Sequence, residues 1–96
     1  MHAVVRTYSG QGASELFDLL GQREEDVRGL LAGVQGFVSY VAVRTAEGGH
    51  AVTVCGDKAG ADESSRRAAE WIKANLSTPV DPPTITEGDA VLHFGA

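Results

Sequence analysis

A single cysteine, Cys55, occurs in 96 residues. No disulfide can form within the chain, and a multi-cysteine metal site is excluded. No apolar run is long enough to span a bilayer, and no charged leader precedes an apolar stretch at the N-terminus. Membrane partners are therefore not expected, and a soluble, cytoplasmic protein is. Basic residues are also few, eight against thirteen acidic ones, for a net charge of −5. Only Arg66 and Arg67 are adjacent, and Glu63 and Glu70 flank them. Nucleic acid binding needs clustered positive charge, so no nucleic acid partner is expected, and this pair reads as a solvated helix face. The histidines, at positions 2, 50 and 93, lack ligand spacing, so no metal is expected. Gly10 and Gly12 make half of a phosphate cradle, but Glu15 stands where its third glycine would be. No cofactor is expected. All three prolines fall at Pro79, Pro82 and Pro83, which makes Ser77–Pro83 an extended connector. The chain length suits one domain, residues 1–96.

What is present centres on Gly36–Gly56. Phe37–Thr45 and His50–Cys55 are rich in β-branched and aromatic residues, and Ala46–Gly49 supplies turn chemistry between them. A four-residue loop would pair Thr45 with His50, Val43 with Val52 and Val41 with Val54. A slip of two residues keeps the same faces together, whereas a slip of one would mix them. Phe37, Val41, Val43, Val52 and Val54 thus share an apolar face, which is assigned to the helices. Tyr40, Ala42, Arg44, Ala51, Thr53 and Cys55 share the other.

A helical stripe of Ala13, Leu16, Phe17, Leu20, Val27, Leu31 and Val34 predicts one helix over Ala13–Gly33. Gly21 and Gly29 each cost it roughly 1 kcal/mol relative to alanine, which favours a bend. A second helix is expected over Asp62–Leu76, with Asp57 or Asp62 as N-cap. Trp71 lies beside its buried stripe, as a cover for the sheet edge or as a pocket wall. Strand His2–Tyr8 precedes the first helix, and Ala90–Phe94 is taken as the last strand, with a short one at Thr84–Thr86. In the first strand, Ala3, Val5 and Thr7 are assigned to the helix side. His2, Val4, Arg6 and Tyr8 are assigned to the open side, and His2 reads as a frayed end. The order β-α-β-β-α-β predicts a ferredoxin-like α+β domain, a four-stranded antiparallel sheet with two helices on one face.

The open face would then expose Val4, Tyr8, Tyr40, Ala42, Thr53, Cys55 and Val91, too much apolar surface for a monomer. The expected partner is a second copy of the chain, with a cavity between the two sheets lined by Arg6, Tyr8, Tyr40, Arg44 and His93. Arg6 and Arg44 suit a carboxylate or phenolate, or they pair with acids of the partner subunit, or they snorkel to the rim. Tyr8 and Tyr40 offer hydrogen bonds, or simply pack across the interface. His93 is the candidate proton carrier, weighed against an interface histidine held by a hydrogen bond. His50 is placed at an exposed hairpin tip. Cys55 reads as a small buried residue, with His93 as its one conceivable base.

The runs GFVSYVAVRTAEGG, VCGDKAG and ESSRRAAEWIKANL resemble the dimeric α/β-barrel superfamily, and within it the antibiotic-biosynthesis-monooxygenase-like (ABM-like) domains, including an uncharacterised bacterial branch. The similarity spans about residues 2–94, and it implies the fold and a homodimer. It also implies chemistry that ranges from cofactor-free oxygenation of polyphenols to haem degradation. Those enzymes use an Asn on the first strand, with a Trp and, for haem, a His on the second helix. Here the first strand has no Asn, and the helix has Trp71 but no His. Two functions are carried forward. One is a small aromatic or acidic ligand in the barrel, with cofactor-independent oxygenase-type chemistry for which Arg6, Tyr8, Tyr40, Arg44 and Trp71 are the ligand-binding candidates and His93 the catalytic one. The other is a non-catalytic accessory or stress-related dimer with a filled cavity.

Overall fold

Alternating β-branched residues form four strands, which the computed structural model, covering residues 1–96, joins in one antiparallel sheet. The elements are β1 (His2–Ser9), α1 (Ala13–Gln22), α2 (Glu24–Ala32), β2 (Phe37–Thr45), β3 (Gly48–Cys55), α3 (Lys58–Asn75) and β4 (Thr84–Asp89). The strand order is β2-β3-β1-β4, which puts the first and third strands at the centre. This is the expected ferredoxin-like arrangement. No helix is long and apolar enough to cross a membrane.

The first helical stretch is two helices rather than one. Arg23 leaves helical geometry at φ −120, ψ 38, although its N–H still reaches Leu19 O at 3.0 Å. Glu24, Glu25 and Asp26 follow at once and suit the positive end of a new helix. Arg23 itself ties to Asp26 Oδ2 at 2.7 Å. The expected stripe holds through the break, since Ala13, Leu16, Phe17, Val27, Leu31 and Val34 are all buried. The later helix starts earlier than expected, at Lys58, with Asp57 as its cap: Gly60 N–H donates to Asp57 Oδ1 at 2.9 Å.

The hairpin turn is shorter than read, because Thr45 pairs with Gly48 across Ala46 and Glu47. Val41 therefore faces Val52 and Val43 faces His50, a slip of two that keeps each face intact. Only Phe37 changes sides. A bulge at Val38 sets it opposite Cys55.

The assignment of the two faces is reversed. The helices cover Val4, Arg6, Tyr8, Ala51, Thr53 and Cys55, all buried, whereas Val41 and Val43 on the opposite face are 53% and 47% exposed. Close approach explains the reversal. Phe17 lies directly over Gly49, where an added Cβ would sit 2.5 Å from its ring. The small residues of β3 let helices descend onto the sheet, and Tyr8, Ala13, Leu16, Phe17, Ala51 and Ile72 close the core there. Tyr8 and Phe17 meet edge to face at 6.0 Å.

The last strand is also corrected. It is Thr84–Asp89, paired to β1 from Thr7↔Thr84 to His2↔Asp89, while residues 90–96 form no strand. His2 is accordingly paired rather than frayed, with Nε2 2.8 Å from Glu87 Oε1. His50 is half-buried on the sheet, with Nδ1 3.0 Å from Thr7 Oγ1.

Two glycines give opposite expectations. Gly48 has φ +147 and a Cβ there would run into Tyr8 O, so Gly48→Ala will destabilise the domain by at least about 2 kcal/mol. Gly29 has open space around its Cβ position, so Gly29→Ala will stabilise it by about 0.5–1 kcal/mol. Urea denaturation of the two variants measures both.

Candidate functional site

Arg6 is the most unusual residue of the interior. Strand alternation turns it toward α3, and it is 2% exposed. Its Nη1 donates to Ser65 Oγ at 3.0 Å and its Nη2 to Thr53 Oγ1 at 2.6 Å, while Nε has no partner. Both partners are neutral hydroxyls. A guanidinium shielded from water without a carboxylate leaves most of its desolvation cost unmet.

Arg6 and Ser65 line a cavity of about 600 Å³ between α3, the β1–β4 side of the sheet and the connector that precedes β4. Tyr8 and Lys73 add polar groups, and Ile72, Leu76 and Val80 form apolar wall. The connector is fastened over this space. Gln11 N–H donates to Asp81 Oδ2 at 3.1 Å, and Asp81 N–H returns to Gln11 O at 2.9 Å. Gly12 keeps that seam tight, since a Cβ there would collide with Pro79 O.

A second cavity of about 780 Å³ lies between α1, α2 and β2, with Phe17, Leu20, Val27, Leu31 and Tyr40 on its walls. Arg44 stands at its rim, exposed and paired with Asp18 Oδ1 at 2.7 Å.

The five ligand-binding candidates therefore do not converge on one site. Arg6 and Tyr8 belong to the first cavity, Tyr40 and Arg44 to the second, and both cavities lie under the helices rather than between two sheets. Trp71 lines neither and packs half-buried against the core. His93 is on the opposite side of the sheet, with Nε2 3.0 Å from Ser39 Oγ. It reaches neither cavity nor Cys55, which is fully buried on the helix side with a thiol pushed up chiefly by that burial. No group of His, Cys, Asp and Glu is placed to hold a metal ion. The sequence reading passed over Ser65, Lys73 and Asp81 as cavity residues. The one signal for Ser65 was its helical spacing with Ala61, Ala69, Ile72 and Leu76, a polar residue on an otherwise apolar stripe.

Burial raises both phenols, Tyr8 and Tyr40, above their ordinary value, and the positive charge of Arg6 opposes the rise in each. Both are neutral hydrogen-bond donors at ordinary pH.

No protein-family model matches the chain, and no curated protein does. Solved structures do match. A haem degrader, MhuD, from Mycobacterium tuberculosis with two haems bound in its active site is 17% identical, with a TM-score of 0.68 over 99% of this chain and 100% of that one. A dimeric ferredoxin-like protein from an uncultured marine organism is 16% identical, with a TM-score of 0.63 over 99% and 96%. The ActVA-Orf6 monooxygenase of Streptomyces coelicolor, in complex with nanaomycin D, is 20% identical, with a TM-score of 0.60 over 99% and 90%. The chain has the fold of these proteins, the ABM-like fold that the sequence resemblance implied.

Tyr8 and Tyr40 are the two tyrosines of the chain, so phenolate absorbance reports on them alone. Because folding favours their neutral forms, stability will be undiminished below pH 10.0, the ordinary value, and will fall as pH rises from there through the folded values. Arg6→Met removes the opposing charge and will move the phenolate titration higher still. Absorbance titration with urea melts at several pH values checks both signs.

Proposed function

We propose that the chain binds a small organic anion, an aromatic carboxylate or a phenolate, in the cavity beside Arg6, and that it does so as a homodimer. The observation that carries the ligand reading is Arg6: a buried cation with an unpartnered Nε, in a residue that borders an open cavity. An anion entering there gains a charge-assisted hydrogen bond and relieves the desolvated guanidinium. The volume, about 600 Å³, suits a small molecule, since such sites run from about 300 to 1,000 Å³. Ile72, Leu76 and Val80 would take its apolar body, with Tyr8 a protonated donor nearby.

The likeness to a monooxygenase supports extending this reading to oxygenase-type chemistry on a phenol. Arg6 is the group that would favour the phenolate, the electron-rich form from which a cofactor-free oxygenation starts. Haem does not fit the residues present. No histidine lines either cavity, and Cys55 is buried with its thiol held protonated. A non-catalytic accessory role would use the same site for binding without turnover, and cavities of this size lend a filled interior no support.

The homodimer reading rests on the open sheet face. Val41 and Val43 are half exposed there, and the similar marine protein is dimeric. Light scattering at micromolar concentration will give twice the chain mass, and a monomer would refute this part.

The ligand part is checked by a thermal-shift screen of aromatic carboxylates, phenols, their neutral amides and ethers, and haem. Acids and phenols will stabilise the wild type and their neutral counterparts will not. Arg6→Met will stay folded by near-ultraviolet circular dichroism and weaken binding by about tenfold or more. Equal response to charged and neutral compounds, or an unchanged affinity in the variant, would discard the Arg6 site.

A further inference from the structure

The segment after β4 carries no element of secondary structure, yet its course is defined. Ala90 N–H donates to Met1 O at 2.9 Å, the chain bends at Val91, and His93 reaches Ser39 on β2. In the order β2-β3-β1-β4 the segment thus crosses from one edge of the sheet to the other. Three strand spacings are about 14 Å, and four residues extend to about 14 Å. From Asp89 to His93 the chain, bent at Val91, covers less than that, and the His93 side chain supplies the rest of the reach to Ser39.

It crosses on the open face. Val54 points to that face, and it is 7% exposed where Val41 and Val43 are half exposed. The segment lies across this surface but does not seal it, because it presents apolar side chains outward. Val91, Leu92 and Phe94 are 90%, 80% and 84% exposed. A strap that served only to cap a monomer would turn polar groups to water. This one adds three uncovered apolar residues to an already apolar face.

We infer that residues 90–96 are a built-in interface element, a strap whose Val91, Leu92 and Phe94 seat against the valine face of a second copy of this chain. The inference rests on the homodimer reading above and goes beyond it, because it assigns the contact to a particular segment. The occupant is a second copy because the strap and the Val41–Val43 surface lie on one face, so a twofold arrangement can present each strap to the partner's open valines. His93 then has a positioning role. Its bond to Ser39 holds the strap against β2.

The test compares the full chain with a form lacking residues 91–96 and with the full-length Leu92→Ser/Phe94→Ser variant, by sedimentation equilibrium over a wide concentration range. The deletion will weaken the dimer by about 100-fold, and the double variant by about tenfold or more. Far-ultraviolet circular dichroism of the helices will be unchanged in both, since the strap supplies none of the sheet ladder. The double variant keeps the residue count and the Ala90–Met1 and His93–Ser39 bonds, so it answers the question even where the deletion proves unstable. A wild-type dimer whose dissociation constant is unchanged in the double variant overturns the strap and leaves the homodimer standing. A monomeric wild type overturns both.

Discussion

Arg6 is the constraint on which the rest of the architecture turns. It sits on a central strand, opposite Ala51 on one side and Ile85 on the other, with Thr53 further along β3. Alanine leaves room for the guanidinium stem, and Thr53 supplies one acceptor from the sheet. Ser65 supplies the other from α3 and so ties that helix's position to the charge. Two hydroxyl dipoles offset only part of the cost of a buried cation, which amounts to several kcal/mol. A fold that keeps such a group must recover the remainder from packing elsewhere or from an anion that joins it. The cavity beside Arg6 is where an anion has room to join.

Shape rather than charge explains why the two faces of the sheet were exchanged in the sequence reading. Parity along the hairpin was legible, because a two-residue period survives any even slip, and the register did slip by two. Which face lies inside is not a matter of parity. The valine-rich side had the greater apolar content and was given to the helices on that ground. The helices instead took the side with Gly49, Ala51, Thr53 and Cys55, because helix–sheet contact rewards small residues that admit Phe17 and Tyr8. Area measures how much surface seeks cover, and shape decides what covers it. The valine side keeps its apolar surface uncovered after the exchange of faces, with Val41 and Val43 half exposed.

Other elements were legible in proportion to how local their causes are. Asp57 as a cap, the proline connector and the apolar stripe through Leu16 and Leu31 follow from neighbouring residues, and each is present. The break at Arg23 was signalled by glycines but placed by acids, since Glu24–Asp26 favour a new helix start. The last strand was misplaced because Thr84–Asp89 is an exposed edge strand whose residues carry little apolar signal. Its pairing comes from β1, 77 or more residues away in the chain, and no local pattern announces it. Ala90–Phe94 carried the apolar alternation instead. Arg6 and Tyr8 were recognised as site residues from chemistry, but their separation from Tyr40 and Arg44 required knowing that Phe17 stands in the core between the helices and the sheet.

The sheet also partitions the molecule. Alternation sends Arg6, Tyr8 and Thr53 to the helix side and Val41, Val43 and Val52 to the other, so the cavity beside Arg6 and the apolar face share backbone but no side chains. Sites divided in this way influence one another weakly unless some segment belongs to both. One run does. Ser77–Pro83 walls the cavity, continues as β4 along the edge of the sheet, and leaves it as the strap on the opposite face. β4 is held by its pairing to β1 alone among the strands and is exposed along its whole length, which makes it the least anchored strand. Coupling between ligand and partner, where it exists, must pass through this edge. By thermodynamic reciprocity it would act equally in both directions, a ligand tightening the dimer by the factor with which the dimer tightens the ligand.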